Sequence, residues 1–137
     1  MKKTLPFLLL LGIILIGFSA LFGLYEVKFF NSRASVTTSS FSPDNSYVFV
    51  TPLAARANGQ EKIRLTVFIL NNQGLGVLGK KVFVSPDSAL SIETIQGLTD
   101  GYGKAYFDIT STKAGEFYLE IKADDTALNQ KAHLTFN

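Results

Sequence analysis

From residue 46 onward, apolar side chains return at every second position, and that period excludes most folds before any motif is considered. Ile63, Leu65, Val67 and Ile69 alternate with Lys62, Arg64, Thr66 and Phe68. Ala105, Phe107 and Ile109 alternate with Lys104, Tyr106 and Asp108, and Phe117, Leu119 and Ile121 with Glu116, Tyr118 and Glu120. Ala132, Leu134 and Phe136 close the chain opposite Lys131, His133 and Thr135. Shorter runs stand at 47–50, at Val82 and Val84 around Phe83, and, more weakly, at Leu90 and Ile92. Successive side chains of a strand point to opposite faces, so each run predicts a strand with one buried face. Turn chemistry lies between the runs: Asn58-Gly59, Asn71-Asn72-Gln73-Gly74, Gly79, Ser85-Pro86-Asp87, Asp100-Gly101, Ala114-Gly115 and Asp124-Asp125. No stretch after Tyr25 sustains a helical period. Short alternating strands at this spacing predict an all-β fold, an antiparallel β-sandwich.

A different pattern precedes it. Residues 5–25 are 21 residues without a charge, enough as a helix to cross the roughly 30 Å of a bilayer's hydrocarbon core. Lys2 and Lys3 flank one side, and the positive-inside rule keeps that end cytoplasmic. The expectation is a single-pass membrane protein in contact with lipid through residues 5–25, its C-terminal domain periplasmic or at the cell surface. A cleaved signal segment is the alternative, with Gly17 and Ser19 as the small residues and cleavage before Ala20. Both readings export the domain. A prepilin leader does not fit, because most of the apolar stretch precedes Gly17 and Glu26 follows its end.

The expected organisation is a short cytoplasmic tail at 1–4, the span at 5–25, a linker at 26–45 and the sandwich at 46–137. Residues 31–46 read NSRASVTTSSFSPDNS, too polar to bury the surface that would order them, so they are expected to act as a tether.

Charge and composition narrow the function. Beyond Tyr25 the chain carries 11 basic and 11 acidic residues, formally neutral. No basic stripe of the kind that neutralises nucleic-acid phosphates is present, and Lys80-Lys81 is the only adjacent basic pair of the domain. The chain has 0 cysteines, which removes a disulfide scaffold, a thiolate zinc site, a cysteine nucleophile and a lipoprotein's acylated cysteine. About 110 residues suffice for one core without such staples.

The residues from about Leu53 to Phe136 resemble a known family, the bacterial immunoglobulin-like domains of invasin and intimin-type surface proteins. Ala57-Asn58-Gly59-Gln60 followed by Ile63-Arg64-Leu65-Thr66-Val67 is similar to the family's entry turn and second strand. Asn71-Asn72-Gln73-Gly74 with Val77, Gly79 and Val82 is similar to the next turn and strand. The most specific stretch is Thr99-Asp100-Gly101-Tyr102-Gly103-Lys104-Ala105, continuing through Ile109-Thr110-Ser111 to Ala114-Gly115 and Ala123. Asp100 and Gly101 suit a tight turn, and Gly103 permits backbone geometry that a Cβ would oppose. The resemblance implies an Ig-like fold and a surface setting, and transfers no receptor-binding residue. Gly76 and Leu78 stand where the family commonly has prolines, which predicts a looser connector. A single copy is present, where related proteins usually stack several.

No enzyme is expected. His133 is the lone histidine, on the outward side of the last strand, too few for a multi-histidine metal site and without a nucleophile-elbow context. Asp87, Asp100, Asp124 and Asp125 lie in turns but lack EF-hand spacing, and Gly74 to Gly79 lacks the spacing and Lys-Ser/Thr pair of a phosphate loop. No cofactor and no metal are expected. What remains are the outward aromatics. Phe68, Phe83, Tyr106 and Tyr118, with Phe49 or Tyr47, fall opposite the rows assigned to the core and are candidates for a partner surface. The predicted function is a membrane-anchored, non-catalytic display module for adhesion or protein–protein interaction, its ligand an unidentified protein or surface, with self-association as a further route. Two alternatives stand beside it: a structural subunit of an envelope or filament complex, and an accessory glycan- or peptidoglycan-binding module of a separate enzyme.

Overall fold

The computed structural model describes residues 4–33 and 40–137, with the side chains of 27–33 left out. Lys2, Lys3 and the centre of the predicted linker, 34–39, lie outside the described residues. The chain divides into two units, one helical and one of strands.

The helical unit is α1, Thr4–Arg33. Within it Thr4–Glu26 is long and apolar enough to cross a membrane by length and composition. It is exposed and apolar on all sides, as a helix bordered by lipid would be and an amphipathic surface helix would not. Helical backbone continues past the charge-free run to Arg33, so the predicted linker from 26 onward begins as helix. The end of a charge-free run need not be where the backbone hydrogen bonds end.

The second unit is built from β1 Tyr47–Thr51, β2 Ala54–Ala55, β3 Ile63–Phe68, β4 Val82–Val84, β5 Leu90–Gln96, β6 Lys104–Ser111, β7 Gly115–Leu119, β8 Ile121–Ala123, β9 Thr126–Ala127 and β10 Ala132–Phe136. One sheet has the order β1-β3-β6-β5, antiparallel throughout. The opposing layer consists of β2-β10-β7 and β4-β8-β9. The two pieces follow one another because β7 and β8 are separated only by Glu120, whose N–H donates to Ser85 Oγ at 2.9 Å. Alternation runs unbroken through Glu120, so the sequence predicts one strand where the ladder changes partner. β5 has 7 residues, longer than the weak strand expected at Leu90 and Ile92.

The alternating rows meet in one core. Ile63, Leu65, Val67 and Ile69 from β3 and its exit lie beside Ala105, Phe107 and Ile109 from β6, and together they pack with Leu119, Ile121, Leu134 and Phe136 from the opposite layer. Burying each large aliphatic is worth about 1.5–3 kcal/mol. Phe41 packs against this cluster, and Ser42 N–H donates to Leu70 O at 2.7 Å. The folded unit therefore starts several residues before 46.

Its two ends differ. At the entry end, where Phe68 pairs with Lys104, Ile69 N–H donates to Gly103 O and Val77 N–H to Ile69 O. Gly103, at φ 75°, leaves no room for a side chain: a Cβ would stand 2.1 Å from Ile69 O. Gly76 is as tightly held, its Cβ position 2.2 Å from the Tyr102 carbonyl carbon. The connector predicted to be loose is thus pinned where it crosses the Tyr102-Gly103 backbone. At the exit end Gly59 N–H donates to Ser111 O, and Ala57 N–H donates to Asn137 O.

Candidate functional site

The four aromatics singled out from the sequence divide between opposite faces. Phe68 and Tyr106 lie on the outer face of the four-stranded sheet, and both are half-buried. Phe68 stacks on Tyr47, its direct cross-strand partner, with centroids 4.6 Å apart. Thr66 faces outward between Phe49 and Tyr106 in the same cross-strand row, and its neighbours leave it buried. Phe83 and Tyr118 are exposed on the other layer. Lys81 Nζ sits 4.8 Å from the Phe83 ring centre. These four residues do not form one patch.

A more continuous surface lies on the seam between β1 and β10. A shallow groove there is lined by Val48, Phe49, Val50, Leu53, Gln130 and His133, among others. Phe49 is 56% exposed and Leu53 75% exposed on one wall. On the other, His133 stacks on Tyr118, its cross-strand partner, with centroids 4.5 Å apart and planes 1° from parallel. Tyr118 OH donates to Glu116 Oε2 at 3.4 Å, and His133 Nε2 lies 3.5 Å from the same oxygen. The stack is thereby held flat, with both side chains exposed. Among the described residues β1 has a ladder on its β3 side only, and at the seam Val48 N–H donates to the Gln130 side chain at 3.1 Å. Strand alternation turns the backbone of Val50 to the same open edge. Leu53 carries no periodic signal, and nothing in the sequence joins it to residue 133.

The outer face of the four-stranded sheet also holds a charged network. Arg64 Nε and Nη2 donate to Asp108 Oδ1 and Oδ2 at 2.8 and 3.1 Å, and Lys62 Nζ lies 3.6 Å from Asp108 and 2.7 Å from Glu93. The hydrogen bonds from Arg64 hold the Asp108 carboxyl below its ordinary value; burial opposes this, and the charges of Arg64 and Lys62 add to it. Three of the four turn aspartates accept from backbone N–H groups. Asp100 Oδ1 accepts from Tyr102 N–H and Lys104 N–H at 2.9 Å each, Asp87 Oδ1 from Ala89 N–H at 2.8 Å, and Asp124 Oδ1 from Lys81 N–H at 3.1 Å. Among the described residues no three His, Cys, Asp or Glu side chains gather as a metal site would require.

Two layers around one core, antiparallel except where β2 pairs in parallel with β10, entered at one end and left at the other, define an immunoglobulin-like β-sandwich. The chain belongs to the family described as bacterial Ig-like domain (group 1), which it matches over residues 45–137. Several solved structures share the fold, three of them as follows. Invasin, a bacterial integrin-binding protein, is 19% identical with a TM-score of 0.63 over 71% of this chain and 20% of its own. InvD of Yersinia pseudotuberculosis is 13% identical with a TM-score of 0.64 over 74% and 30%. A C-terminal fragment of intimin, solved with the intimin-binding domain of the translocated intimin receptor, is 24% identical with a TM-score of 0.58 over 72% and 33%. The chain therefore spans a fifth to a third of these relatives. No curated protein matches it.

Proposed function

We propose that this is a membrane-anchored, surface-displayed, non-catalytic Ig-like module for adhesion or protein–protein interaction. The observation that carries the reading is the β1–β10 groove, where exposed Phe49 and Leu53 on one wall and His133 on the other flank an open strand edge, with Tyr118 stacked on His133 beside it. Aromatic side chains around a groove supply rigid contact area to a protein partner, and an open edge accepts an extended segment through main-chain hydrogen bonds. The apolar helix supplies the anchor, and the match to a family whose solved relatives include integrin-binding invasin and receptor-bound intimin supports a protein ligand. Phe68, Phe83 and Tyr106 belong to other parts of the surface and serve as secondary contacts.

Photocrosslinking in intact native cells tests this. A benzophenone side chain replaces Phe49 in the groove or Tyr118 on the stack that borders it, or Ser88 at the exit end as reference. A discrete adduct from both Phe49 and Tyr118 positions and none from Ser88 is expected. An adduct at about twice the 15.0 kDa chain mass would identify the partner as a second copy. No adduct from either of those two positions, or the same adduct from all three, would overturn the proposal.

A further inference from the structure

β1 stands at one end of the four-stranded sheet, and its five residues, YVFVT, carry no charge. Val48 N–H points across the outer edge to Gln130 Oε1. Strand alternation therefore turns the main chain of Val48 and Val50 outward, and that of Tyr47, Phe49 and Thr51 toward β3. Among the described residues the Gln130 side chain is the one group bonded to this edge. Folded proteins blunt their edge strands with a charge, a bulge or a cover. The sheet's other edge, β5, has Glu93 and a register shift between Thr94 and Gln96. β7, at the end of its own sheet, carries Glu116. β1 has only the glutamine.

The sequence of the edge points to its occupant. Val48-Phe49-Val50 reads the same in both directions. An antiparallel copy centred on Phe49 sets Val48 opposite Val50 of the second copy, and Phe49 opposite Phe49. The members of each valine pair both turn N–H and C=O to the edge, so they exchange both N–H···O bonds. Phe49 falls in the alternate kind of pair, where Cα atoms approach to about 4.5 Å and side chains lie closest. Its ring is 56% exposed and, among the described residues, stacks on no other ring. A second Phe49 supplies an aromatic cross-strand partner, and no charge meets its like along the strand. The same two-fold arrangement about Glu93 of β5 would set carboxylate against carboxylate. Gln130 is the obstacle, and it is exposed and free to turn into water. The carbonyl of Val50 from the second copy replaces its bond to Val48 N–H.

We propose that β1 pairs antiparallel with β1 of a second copy of this chain, centred on Phe49 and displacing Gln130, so that two four-stranded sheets join edge to edge. This rests on the reading of the β1–β10 groove as a contact surface and names the partner it takes.

The chain has 0 cysteines, so introduced thiols are the only ones. Phe49→Cys, Tyr47→Cys, Thr51→Cys and, as reference, Ser88→Cys are made singly in the full chain and oxidised with copper phenanthroline in intact native cells. Pairing about Phe49 brings the two copies of residue 49 to about 4.5 Å between Cα atoms, within disulfide reach. Residue 47 then lies opposite residue 51 of the second copy, while the two copies of residue 47 stand about 13 Å apart at ~3.3 Å per residue. Expected from Phe49→Cys is a disulfide-linked product at about twice the 15.0 kDa chain mass. Tyr47→Cys and Thr51→Cys should each give at least fivefold less alone, yet link to one another when co-expressed with tags of different size. Adding Gln130→Ala to Phe49→Cys should raise the initial yield at least twofold. Equal yields from 47, 49 and 51 alone, a yield from Ser88→Cys as high as from Phe49→Cys, or no increase on Gln130→Ala overturns the pairing. No disulfide from Phe49→Cys, with a photoadduct of another mass still formed from position 49, overturns the second copy and upholds the groove as a contact surface. Neither disulfide nor photoadduct overturns both.

Discussion

Gly76 and Gly103 meet backbone to backbone: a Cβ on Gly103 would lie 2.9 Å from Gly76 Cα and 3.0 Å from Val77 N. The approach lets Val77 N–H reach Ile69 O and ties the connector to the β3–β6 end of the sheet. Gly103→Ala should therefore cost well above the about 1–2 kcal/mol that left-handed backbone alone imposes on an L residue. Gly74→Ala provides the comparison, since Gly74 has φ 76° but open space around its Cβ. Urea midpoints of the two variants should differ clearly; equal losses would show that the close approach contributes nothing.

Leu134, fully buried on β10, packs in the core that both layers share. Leu134→Ala should lower stability by about 2–5 kcal/mol, the range for a buried leucine whose cavity collapses only in part. Exposed Leu53→Ala should leave the urea midpoint close to that of the parent chain. A similar loss at the two positions would contradict the core assignment.

Asp108 makes stability depend on acid. Its carboxyl titrates lower folded than unfolded because Arg64 donates to both of its oxygens. A depressed folded value contributes stability above the unfolded value, about 3.9, and that contribution is lost as pH falls through the folded one. Asp108→Asn should flatten the stability profile below about pH 4 relative to the parent chain. Denaturant midpoints between pH 6 and 2 measure it. Glu120 and Asp124, also lowered by lysine partners, leave a residual slope in both proteins. Parallel profiles would remove Asp108 as a source.

Tyr118 is 60% exposed and stacks on His133. Cross-strand pairs of this kind contribute about 0.2–1 kcal/mol. Tyr118→Ser should therefore shift the urea midpoint little while weakening the photoadduct formed from position 49. Unchanged adduct yield would place the partner elsewhere on the domain.

The core was legible because burial imposes a strict period. Ile63, Leu65, Val67, Ala105, Phe107, Ile109 and Leu134 all lie on the inner faces that alternation assigns them. The ladder pattern was less legible. Glu120 interrupts nothing in the alternation, yet β7 pairs with β10 on one side of it and β8 with β4 on the other. β2 and β9, with 2 residues each, are too short to show any period. The buried polar anchors were also hidden. Thr99 Oγ1 donates to Val77 O and accepts from Lys80 N–H, bonds between segments about twenty residues apart. The groove was only half visible, since alternation turns Tyr118 and His133 outward but cannot bring Leu53 beside them.

The two places where the backbone enters and leaves the sandwich have a mechanical consequence. Phe41 packs at one end of the sandwich and Asn137 is hydrogen-bonded at the other. A pull between them runs nearly along β1 and β10. Ladder hydrogen bonds lie across the strands, so such a load is shared by the whole register of Tyr47–Thr51 on β3 and of Ala132–Phe136 on β7. The bonds must yield together in shear rather than peel one at a time, the geometry that lets a single sandwich hold tension applied between its two ends.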